Sequence, residues 1–454
     1  MSTTTASKDL LRQVIALTWP AVLQGMVTTL VFTTDRLIIG RYASEALSSL
    51  GVANPVAWSV TSIFGAFMAG VVAVTGRAVG AKDRRRAAAT LQSSLFFALG
   101  IGLVVSLLAF VGREPVVALL TDPEATTAAV RGDASTYLAV VLMSAPLFFV
   151  AATATASLQA AGDTRTPMVI AMIAGVANLA LSWALVFGQF GLPEMGLIGA
   201  AVGTVMSSGV QAALGLWVLY GGRGPLELGA ENDSDDRRDA LATVLRVSKA
   251  TLGEKVLYHL AYVASIAIVG HLGNISLAAH ETLLGIEAIG FTAASGFSIA
   301  AATLVAQRMG KDNADEAYEA GQTAARLGLF VSLAFGAILF AFPYQLIGIF
   351  TTDPEVIEVG APCLRIAAFA QSAMILADTW SGGLRGAGDT FTPMVSALLG
   401  PVVMRLAACW FFAWHLEMGL VGFWLGTTLD WYVRATWTGV AFYRRKWAVK
   451  YREL

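Results

Sequence analysis

Acidic side chains inside long apolar stretches are the groups of this sequence best suited to chemistry. Asp35 lies in a hydrophobic run that begins near residue 14, and Glu287 and Asp378 lie in two later runs. A carboxylate at the centre of a bilayer costs at least about 2.5 kcal/mol unless it faces water or a charged partner. Burial also favours the protonated form of a carboxyl, which brings proton exchange toward physiological pH. Asp35 is therefore a candidate ion-coupling residue.

Polar side chains share one side of the helix predicted around Asp35. Gln24, Thr28 and Asp35 are separated by four and seven residues, so they fall on one helical face, which should point away from lipid. Arg36 follows directly, but adjacent helical residues do not face each other, so its position alone does not make it the counter-ion. A permanent arginine partner that neutralises Asp35 is the alternative interpretation.

Pro20 interrupts the same predicted helix fifteen residues before Asp35. It removes the hydrogen bond that residue 20 would give to the Ala16 carbonyl, so the helix can bend there. Two interpretations stay open: a hinge that moves during function, and a static kink.

Two later apolar runs carry polar pairs at helical spacing. Asn178 and Ser182 are four residues apart, and so are Thr204 and Ser208 in the next run. Such side chains often join membrane helices by hydrogen bonds. The other interpretation is a polar network around Asp35.

The second half of the chain has intramembrane charges of its own. Glu254 follows Arg246 and Lys249 closely, which favours an ion pair near the membrane surface. Asp378 lies deeper in its run, and Glu287 is a further intramembrane acid, so both are candidate site residues. The other charges of these runs are interpreted as structural ion pairs: Arg405, and Asp430 with Arg434.

Motifs of known catalytic chemistry are missing from the sequence. Four histidines and two cysteines, Cys363 and Cys409, lack the spacing of a metal site or a disulfide framework, and there is no phosphate-binding loop. The formal net charge is −1, without basic stretches that bind nucleic acid. We expect no enzyme, no metal or other cofactor and no nucleic-acid partner, so energy has to come from an ion gradient or from the substrate's own gradient.

The elements that must position these side chains are membrane-spanning helices. Of the 454 residues, 56% are hydrophobic and 13% are charged, and the mean hydropathy is +0.67. A spanning helix needs about 20 apolar residues, and barrel strands would show an alternation that these runs lack. The sequence predicts an all-α integral membrane protein with twelve transmembrane helices. The predicted spans are 14–39, 47–74, 88–111, 134–156, 167–188, 197–220, 250–270, 277–304, 323–343, 363–384, 392–414 and 420–442.

Lysine and arginine concentrate in every second loop. With the N-terminus in the cytoplasm, most of them lie on the cytoplasmic side, as the positive-inside rule requires. Residues 221–245 include an acidic run, and we interpret them as a flexible cytoplasmic linker between residues 1–220 and residues 246–454. We expect a multi-pass protein of the inner (plasma) membrane with both termini in the cytoplasm.

The two halves repeat the same features in the same order. Residues 161–168 match residues 387–394, and both contain Gly-Asp-Thr-x-Thr-Pro-Met. One six-helix unit thus occurs twice, and transporters place substrate sites near the interface of such repeats. Locally, Thr166 or Thr392 would cap the next helix and the proline would take its first position, with a role in gating as the alternative. A further match joins 77–83 to 307–312.

These features resemble the multidrug and toxic compound extrusion (MATE) transporters over essentially the whole chain. The resemblance rests on Pro20, Asp35, Gly80-Ala81, and residues 384–390 with their first-half counterpart 158–164. It implies a V-shaped pair of six-helix bundles that exports amphiphilic, often cationic compounds by proton or sodium antiport. It also implies that Pro20 is a hinge.

The resemblance further implies a composition for the first-half site. The family joins the acid of span 1 to an asparagine and a second acid in span 5 and to a threonine in span 6. Asp35, Asn178 and Thr204 match this pattern, whereas Ser182 stands in place of the second acid. One carboxylate can still exchange a proton, but the two-carboxylate cation site of the family lacks one of its acids here.

The resulting prediction is a secondary active multidrug exporter coupled to the inward flow of H⁺, with Na⁺ as the alternative ion. Sodium-coupled relatives carry acids in the helices that here hold Glu254 and Asp378, about one turn away. We expect small amphiphilic substrates and the lipid bilayer as partners, and a monomer. The alternative is a lipid-linked precursor flippase of the same superfamily, which needs a cavity rich in Arg and Lys for pyrophosphate. A scaffold or an intramembrane enzyme would leave the cost of Asp35 unexplained.

Overall fold

A computed structural model describes residues 3–121, 127–222, 226, 228–229 and 232–450 of the chain. Throughout these ranges the chain forms helices and short turns, with no β-strand. The all-α prediction is therefore confirmed. The helices are α1 (Thr3–Tyr42), α2 (Ser44–Gly80), α3 (Arg84–Leu120), α4 (Ala128–Met143), α5 (Ala145–Ala160), α6 (Arg165–Val186), α7 (Gly196–Tyr220), α8 (Ser234–Gly270), α9 (Asn274–Gly310), α10 (Ala314–Ala341), α11 (Pro343–Gly348), α12 (Pro354–Ala387), α13 (Phe391–Ala397), α14 (Leu406–Cys409), α15 (Gly419–Tyr443) and α16 (Lys446–Lys450).

Ten helical segments within the described ranges are long and apolar enough to cross a membrane. The predicted span 134–156 is a broken one, because α4 and α5 meet at an angle of 46° and together count as an eleventh span. The twelfth predicted span coincides with α15, which holds Asp430 and Arg434 and does not reach the same apolar character. The protein is thus a multi-pass membrane protein.

The break between α4 and α5 follows from Pro146. Proline has no N–H to give to the Leu142 carbonyl one turn earlier. The Ser106 hydroxyl of α3 donates to that carbonyl instead, at 3.0 Å. A Cβ on Gly102 would lie 2.5 Å from the Pro146 Cα, so α3 and α5 pack backbone to backbone beside the bend.

The chain divides into two compact units, and each is described by itself. The first-half unit comprises Leu23–Val71 and Lys82–Val244, and the second-half unit comprises Met1–Val22, Val72–Ala81 and Leu245–Leu454. These units differ from the predicted halves 1–220 and 246–454, because parts of α1 and α2 group with the second half. The domain boundaries predicted from the repeat stay a prediction.

Each unit is built from helices that pack along their length. In the second-half unit, α12 packs against α9, α10 and α15. In the first-half unit, α6 packs against α7, and α3 packs against α4 and α5. Small residues permit close crossings in the second-half unit, where a Cβ at Gly80 would overlap the Gln307 carbonyl and a Cβ at Gly310 would overlap the Arg77 carbonyl.

Helix α1 is continuous through Pro20 and carries an unusual set of hydroxyl contacts. Thr28, Thr29, Thr33 and Thr34 each donate to the carbonyl four residues earlier, at 2.8 to 3.1 Å. Hydroxyls bonded in this way often bend a helix.

Aspartates cap the helices that follow the repeated Gly-Asp-Thr motif. Asp163 Oδ1 accepts the Thr166 N–H at 2.9 Å, and Asp389 Oδ1 accepts the Thr392 N–H at 3.1 Å. The threonines were expected to supply these caps, but α6 and α13 begin before them. The proline accordingly takes the third helical position, where an N–H has no partner within the helix.

Part of the predicted linker 221–245 is ordered against α3. Gln92 Nε2 donates to the Leu228 carbonyl at 2.8 Å, and the Leu226 side chain is buried. Helix α8 begins at Ser234. The described part of this segment is therefore not a free solvated linker, and residues 223–225, 227 and 230–231 lie outside the described residues.

Candidate functional site

Asp35 lies on α1 within the first-half unit, opposite two polar side chains of α6. Its carboxyl is half-buried and interacts with Ser182 and Asn178, which are themselves buried. Asn178 Nδ2 in turn donates to Thr204 Oγ1 of α7 at 3.5 Å. The structure thus brings together four of the predicted residues, one acid and three neutral side chains.

Small residues allow these three helices to approach. A Cβ on Gly175 of α6 would lie 3.1 Å from the Val27 side chain of α1, and a Cβ on Gly203 of α7 would lie 2.5 Å from Ser182 Oγ. Any larger side chain at Gly203 would have to displace the Ser182 hydroxyl. The position of Ser182 beside Asp35 therefore depends on the absence of a side chain at residue 203.

The site has unused hydrogen-bonding capacity. Asp35 Oδ1, Asn178 Oδ1 and Ser182 Oγ are buried, and none of them has a hydrogen-bond partner in the described part of the chain. Buried polar atoms of folded proteins are nearly always paired, so an unpaired group marks a strained or functional position or an absent ligand or water. All three oxygens can accept a hydrogen bond, and only the Ser182 hydroxyl can also donate one, which suits a proton, a water molecule or a cation.

Arg36 is not the counter-ion of Asp35. Its guanidinium lies 4.6 Å from the centre of the Phe32 ring, and the residue is exposed. Within the ranges that the structure describes, Asp35 forms no ion pair. The alternative of a carboxyl neutralised by a permanent arginine therefore has no support in this structure.

Gln24 and Thr28 lie apart from the Asp35 site, although they share its helical face. Gln24 Oε1 accepts from Gln159 Nε2 of α5 at 3.2 Å, and Thr28 donates to the backbone of its own helix. At 1.5 Å per residue, Thr28 is about 10 Å and Gln24 about 16 Å along α1 from Asp35. Helical periodicity places residues on a common face, but it does not bring together residues that lie far apart along the helix axis.

Tyr137 of α4 is a neighbour of Asp35 that the sequence did not reveal. Its ring is buried among Ile38, Ile39 and other apolar residues, and its phenol lies within electrostatic range of Asp35. No spacing links a residue of α4 to one of α1, so only tertiary structure shows this relationship.

The candidate acids of the second-half unit have arginine partners. Glu254 Oε1 accepts from Arg385 Nη2 at 2.5 Å, and Asp378 Oδ1 lies 3.7 Å from Arg434 Nη2. Asp430 Oδ2 lies 2.6 Å from the Nη2 of Arg405. The predicted ion pair of Asp430 with Arg434 is therefore replaced by two pairs that each join different helices.

Glu287 of α9 is the exception among these acids. The structure gives it no ion pair with any described residue, and its buried Oε1 has no hydrogen-bond partner there. Arg405 and Asp430 are the charged groups that act on it most strongly. In the described ranges, no three His, Cys, Asp or Glu side chains cluster in a way that could hold a metal ion.

Long apolar helices around a buried carboxyl site define a multi-pass membrane protein of the transporter type. The family model described as MatE matches residues 20–184 and 250–411, which is more than half of the chain. The chain therefore belongs to the MatE family of multidrug and toxic compound extrusion transporters. It is a transporter and not an enzyme.

Similar proteins cover nearly the full length of the chain. A probable multidrug resistance protein NorM of Thermotoga maritima is 29% identical over 439 residues, which is 97% of this chain and 93% of that protein. The uncharacterized transporter YisQ of Bacillus subtilis is 23% identical and covers 95% of this chain and 92% of its own length.

Solved MATE structures share the fold. The Vibrio cholerae MATE transporter VcmN, in a mutant form, has a TM-score of 0.89 at 18% identity and covers 97% of this chain and 98% of its own. An outward-facing MATE multidrug resistance transporter has a TM-score of 0.88 at 19% identity, and the match covers 96% of this chain and 98% of that transporter. At these identities the likeness establishes the fold alone.

Proposed function

We propose that this protein is a multidrug exporter that moves amphiphilic, often cationic organic compounds out of the cell in exchange for inward-moving protons, with Asp35 as the ion-coupling residue. The observation that carries the proposal is the surroundings of Asp35. Its half-buried carboxyl lies beside the neutral side chains of Asn178 and Ser182, its Oδ1 has no hydrogen-bond partner, and no described residue forms an ion pair with it. Relatives named as probable multidrug resistance proteins support the substrate class.

The composition of the site favours a proton over sodium. Asp35 is the one carboxylate interacting there, and Ser182 occupies the place where the family pattern has a second acid. In the second-half unit, Glu254 and Asp378 already have arginine partners, so neither is an uncompensated negative charge ready for Na⁺. A proton needs a single acceptor atom, which Asp35 provides.

Coupling requires that the proton bind more tightly in one conformation than in the other. An ion with equal affinity for two states shifts no equilibrium between them. We infer that protonation of Asp35 in the outward-open state bends α1, with Pro20 as the hinge, and expels the substrate. Release of the proton to the cytoplasm then accompanies the return.

The proposal also covers the orientation of the protein, its location in the cell and its oligomeric state. The concentration of Lys and Arg in alternate loops supports an orientation with both termini in the cytoplasm, as the positive-inside rule expects. Bacterial relatives of the NorM type support the plasma membrane as the location. A monomer is sufficient, since the Asp35 site is composed within one unit of one chain.

A lipid-linked precursor flippase is the second candidate, and the charges disfavour it. Such a transporter has to hold a pyrophosphate with several free Arg or Lys side chains. Here Arg385, Arg405 and Arg434 are each engaged by a carboxylate.

The deciding experiment imposes one gradient at a time on everted membrane vesicles that contain the protein. With an acidic interior, the vesicles should accumulate a cationic dye, and a sodium gradient at equal pH on both sides should leave uptake at background. Dye uptake that follows the sodium gradient alone would show that the proposed coupling to protons is wrong. Absence of uptake under both gradients, combined with translocation of a labelled polyprenyl pyrophosphate, would establish the flippase.

A further inference from the structure

A groove lies between α12 and α15 in the second-half unit, and the proposed transport cycle gives it no role. Its volume is about 310 Å³, and its lining consists of apolar, aromatic and hydroxyl side chains without a charged group. Tyr432, Val440 and Tyr443 of this lining are exposed. The groove is therefore open along the length of α15.

The groove lies on the side of these two helices that faces away from their buried charges. Asp378 of α12 pairs with Arg434 of α15 at 3.7 Å. Two residues further along each helix, Trp380 and Thr436 line the groove, and helical residues two apart point about 200° away from each other. Charged residues of membrane helices face the interior of a bundle. The opposite, uncharged side is therefore the one suited to contact acyl chains.

The length of the groove matches one leaflet of a bilayer. From Tyr432 to Tyr443, α15 rises by about 17 Å at 1.5 Å per residue, and the hydrocarbon core of one leaflet is about 15 Å thick. Trp380 closes one wall, and its ring lies only 2.8 Å from where a Cβ on Gly439 would be. An acyl chain laid along α15 would thus run from the middle of the membrane to its surface.

At the surface end, the groove leads to a basic stretch of the chain. The Tyr443 ring lies 5.9 Å from the Trp380 ring and 6.2 Å from the Tyr318 ring of α10. The Arg445 guanidinium lies 3.6 Å from the centre of the Tyr318 ring. Aromatic side chains gather at the level of lipid headgroups, so these contacts place the basic residues after α15 at that level.

Two cations of this stretch have no carboxylate partner in the described structure. Arg445 pairs with Asp315 at 2.7 Å. Arg444 and Lys446 are exposed, and neither forms an ion pair with a described residue. Trp447 is buried and donates from Nε1 to a backbone carbonyl of α15 at 3.0 Å, which holds Lys446 close to the end of that helix.

An anion with an apolar tail satisfies both features. Basic sites at the membrane surface bind anionic lipid headgroups, and the uncharged groove accepts a hydrocarbon chain. We propose that an anionic phospholipid occupies this site, with one acyl chain in the groove between α12 and α15 and its phosphate at Arg444 and Lys446. The lipid joins the two helices at the membrane surface. This inference does not depend on which compound the protein exports.

Two phospholipids with identical acyl chains test the role of the headgroup. Dioleoyl-phosphatidylglycerol carries a negative charge, and dioleoyl-phosphatidylcholine has none overall. Native mass spectrometry of the delipidated full chain counts the lipids bound and gives the Kd of each. The wild type should bind one phosphatidylglycerol about 25-fold more tightly than phosphatidylcholine, since one basic residue near the surface contributes about five-fold.

Charge substitutions then locate the headgroup. The double variant Arg444→Gln with Lys446→Gln should bind the two lipids about equally. The matched control is Lys82→Gln with Arg84→Gln, which removes two exposed charges from the stretch before α3. This control should retain the wild-type preference. Its melting temperature and that of the test variant should agree with the wild type in detergent alone.

A bulky side chain in the groove locates the acyl chain. Thr436 is exposed and lines the groove, so Thr436→Trp should remove the tight site for both lipids. Leu333→Trp adds a similar side chain at an exposed position of α10 outside the groove and should leave both Kd values unchanged.

Four results would overturn the inference. They are a wild type without preference for phosphatidylglycerol, a preference that survives loss of Arg444 and Lys446, a tight site that survives Thr436→Trp, and displacement of the lipid by an exported cationic dye. The first needs no variant, and the last would assign the groove to substrates. Binding is measured without an ion gradient, so its failure leaves the proposed export function intact, and failed export in vesicles leaves the lipid site intact.

Discussion

Arg385 of α12 donates through Nη2 to Oε1 of Glu254 of α8, at 2.5 Å, in the interior of the second-half unit. The guanidinium gives the acid of span 7 a dedicated partner, whereas Asp35 of span 1 has none among the described residues. The two intramembrane carboxyls therefore differ in their surroundings, and the pair of Glu254 and Arg385 can be tested apart from transport.

Removing one partner of this pair should destabilise the protein. Glu254→Gln and Arg385→Gln should each lower the free energy of unfolding by about 3 kcal/mol, because each leaves a buried charge uncompensated. The double variant should lose less than the sum of the two. Unfolding in detergent, followed by tryptophan fluorescence, measures this. The partly exposed pair of Arg113 and Glu114 at 4.0 Å is the control, and its loss should cost about 1 kcal/mol or less. Strict additivity of the Glu254 and Arg385 substitutions would contradict the expectation.

Asp35→Asn should abolish uptake driven by a pH gradient while leaving dye binding in place. An amide keeps the size of the side chain but cannot exchange a proton, so the affinity difference between the two conformations is lost. Uptake into everted vesicles and equilibrium dye binding are the two measurements. Arg36→Gln, one residue away, removes a charge that only stacks on Phe32 and should leave pH-driven uptake unchanged. Normal uptake by Asp35→Asn would refute the assignment of Asp35.

Gly203→Ala should disturb the Asp35 site from the neighbouring helix. The added Cβ would lie 2.5 Å from Ser182 Oγ, so Ser182 has to move, and overpacking of this kind costs about 1–3 kcal/mol. Slower pH-driven uptake and a lower melting temperature are expected together. Gly209→Ala on the same helix meets only Leu147 Cδ1 at 3.7 Å and should be neutral or slightly stabilising. Equal effects at both glycines would show that packing at Ser182 is not critical.

Gly80→Ala should destabilise the second-half unit. A methyl group there overlaps the Gln307 carbonyl, which is backbone and cannot rotate away, so we expect a loss of about 2 kcal/mol or more. Gly100→Ala on α3 is the control, because nothing lies within 4 Å of its added Cβ. Thermal unfolding of the two variants should differ by several degrees, and indistinguishable melting would mean that this helix crossing relaxes freely.

Substitutions of Asp163 can distinguish a structural role of the repeated Gly-Asp-Thr motif from a role in gating. Asp163→Ala removes the acceptor of the Thr166 N–H and should cost about 1 kcal/mol of stability. Asp163→Asn keeps a capping oxygen and should restore both stability and transport. If Asp163→Asn stops transport without altering the melting temperature, the charge itself takes part in gating.

Local patterns predicted the helices, which the structure confirms, and they selected the residues that the structure brings together around Asp35. Asp35 stood out because a charge in an apolar run is costly, and Asn178 and Ser182 because they are one turn apart. The ion pairs were harder to predict. Asp430 and Arg434 are four residues apart on α15, but Asp430 pairs with Arg405, at the end of the π-helical stretch Leu398–Arg405, and Arg434 pairs with Asp378 of α12. Spacing along one helix does not show which partners a neighbouring helix supplies.

The sequence also did not show how the helices group into compact units. The repeat predicts two halves, 1–220 and 246–454, and this division stays a prediction, while the compact units of the structure divide within α1, α2 and α8. Contacts between segments far apart in the chain determine this division. The bend between α4 and α5 has a visible cause in Pro146, but only the structure shows that Ser106 compensates the lost bond.

The four threonine hydroxyls of α1 affect how this helix can deform. Each one shares a carbonyl oxygen with a backbone N–H, so four consecutive sections of the helix between Pro20 and Asp35 are softened. The helix can thereby bend over about two turns, and the bending is not confined to Pro20. Bending of α1, which we propose to follow protonation of Asp35, would then take the form of gradual curvature, and the resistance to bending would depend on the number of hydroxyls along the helix.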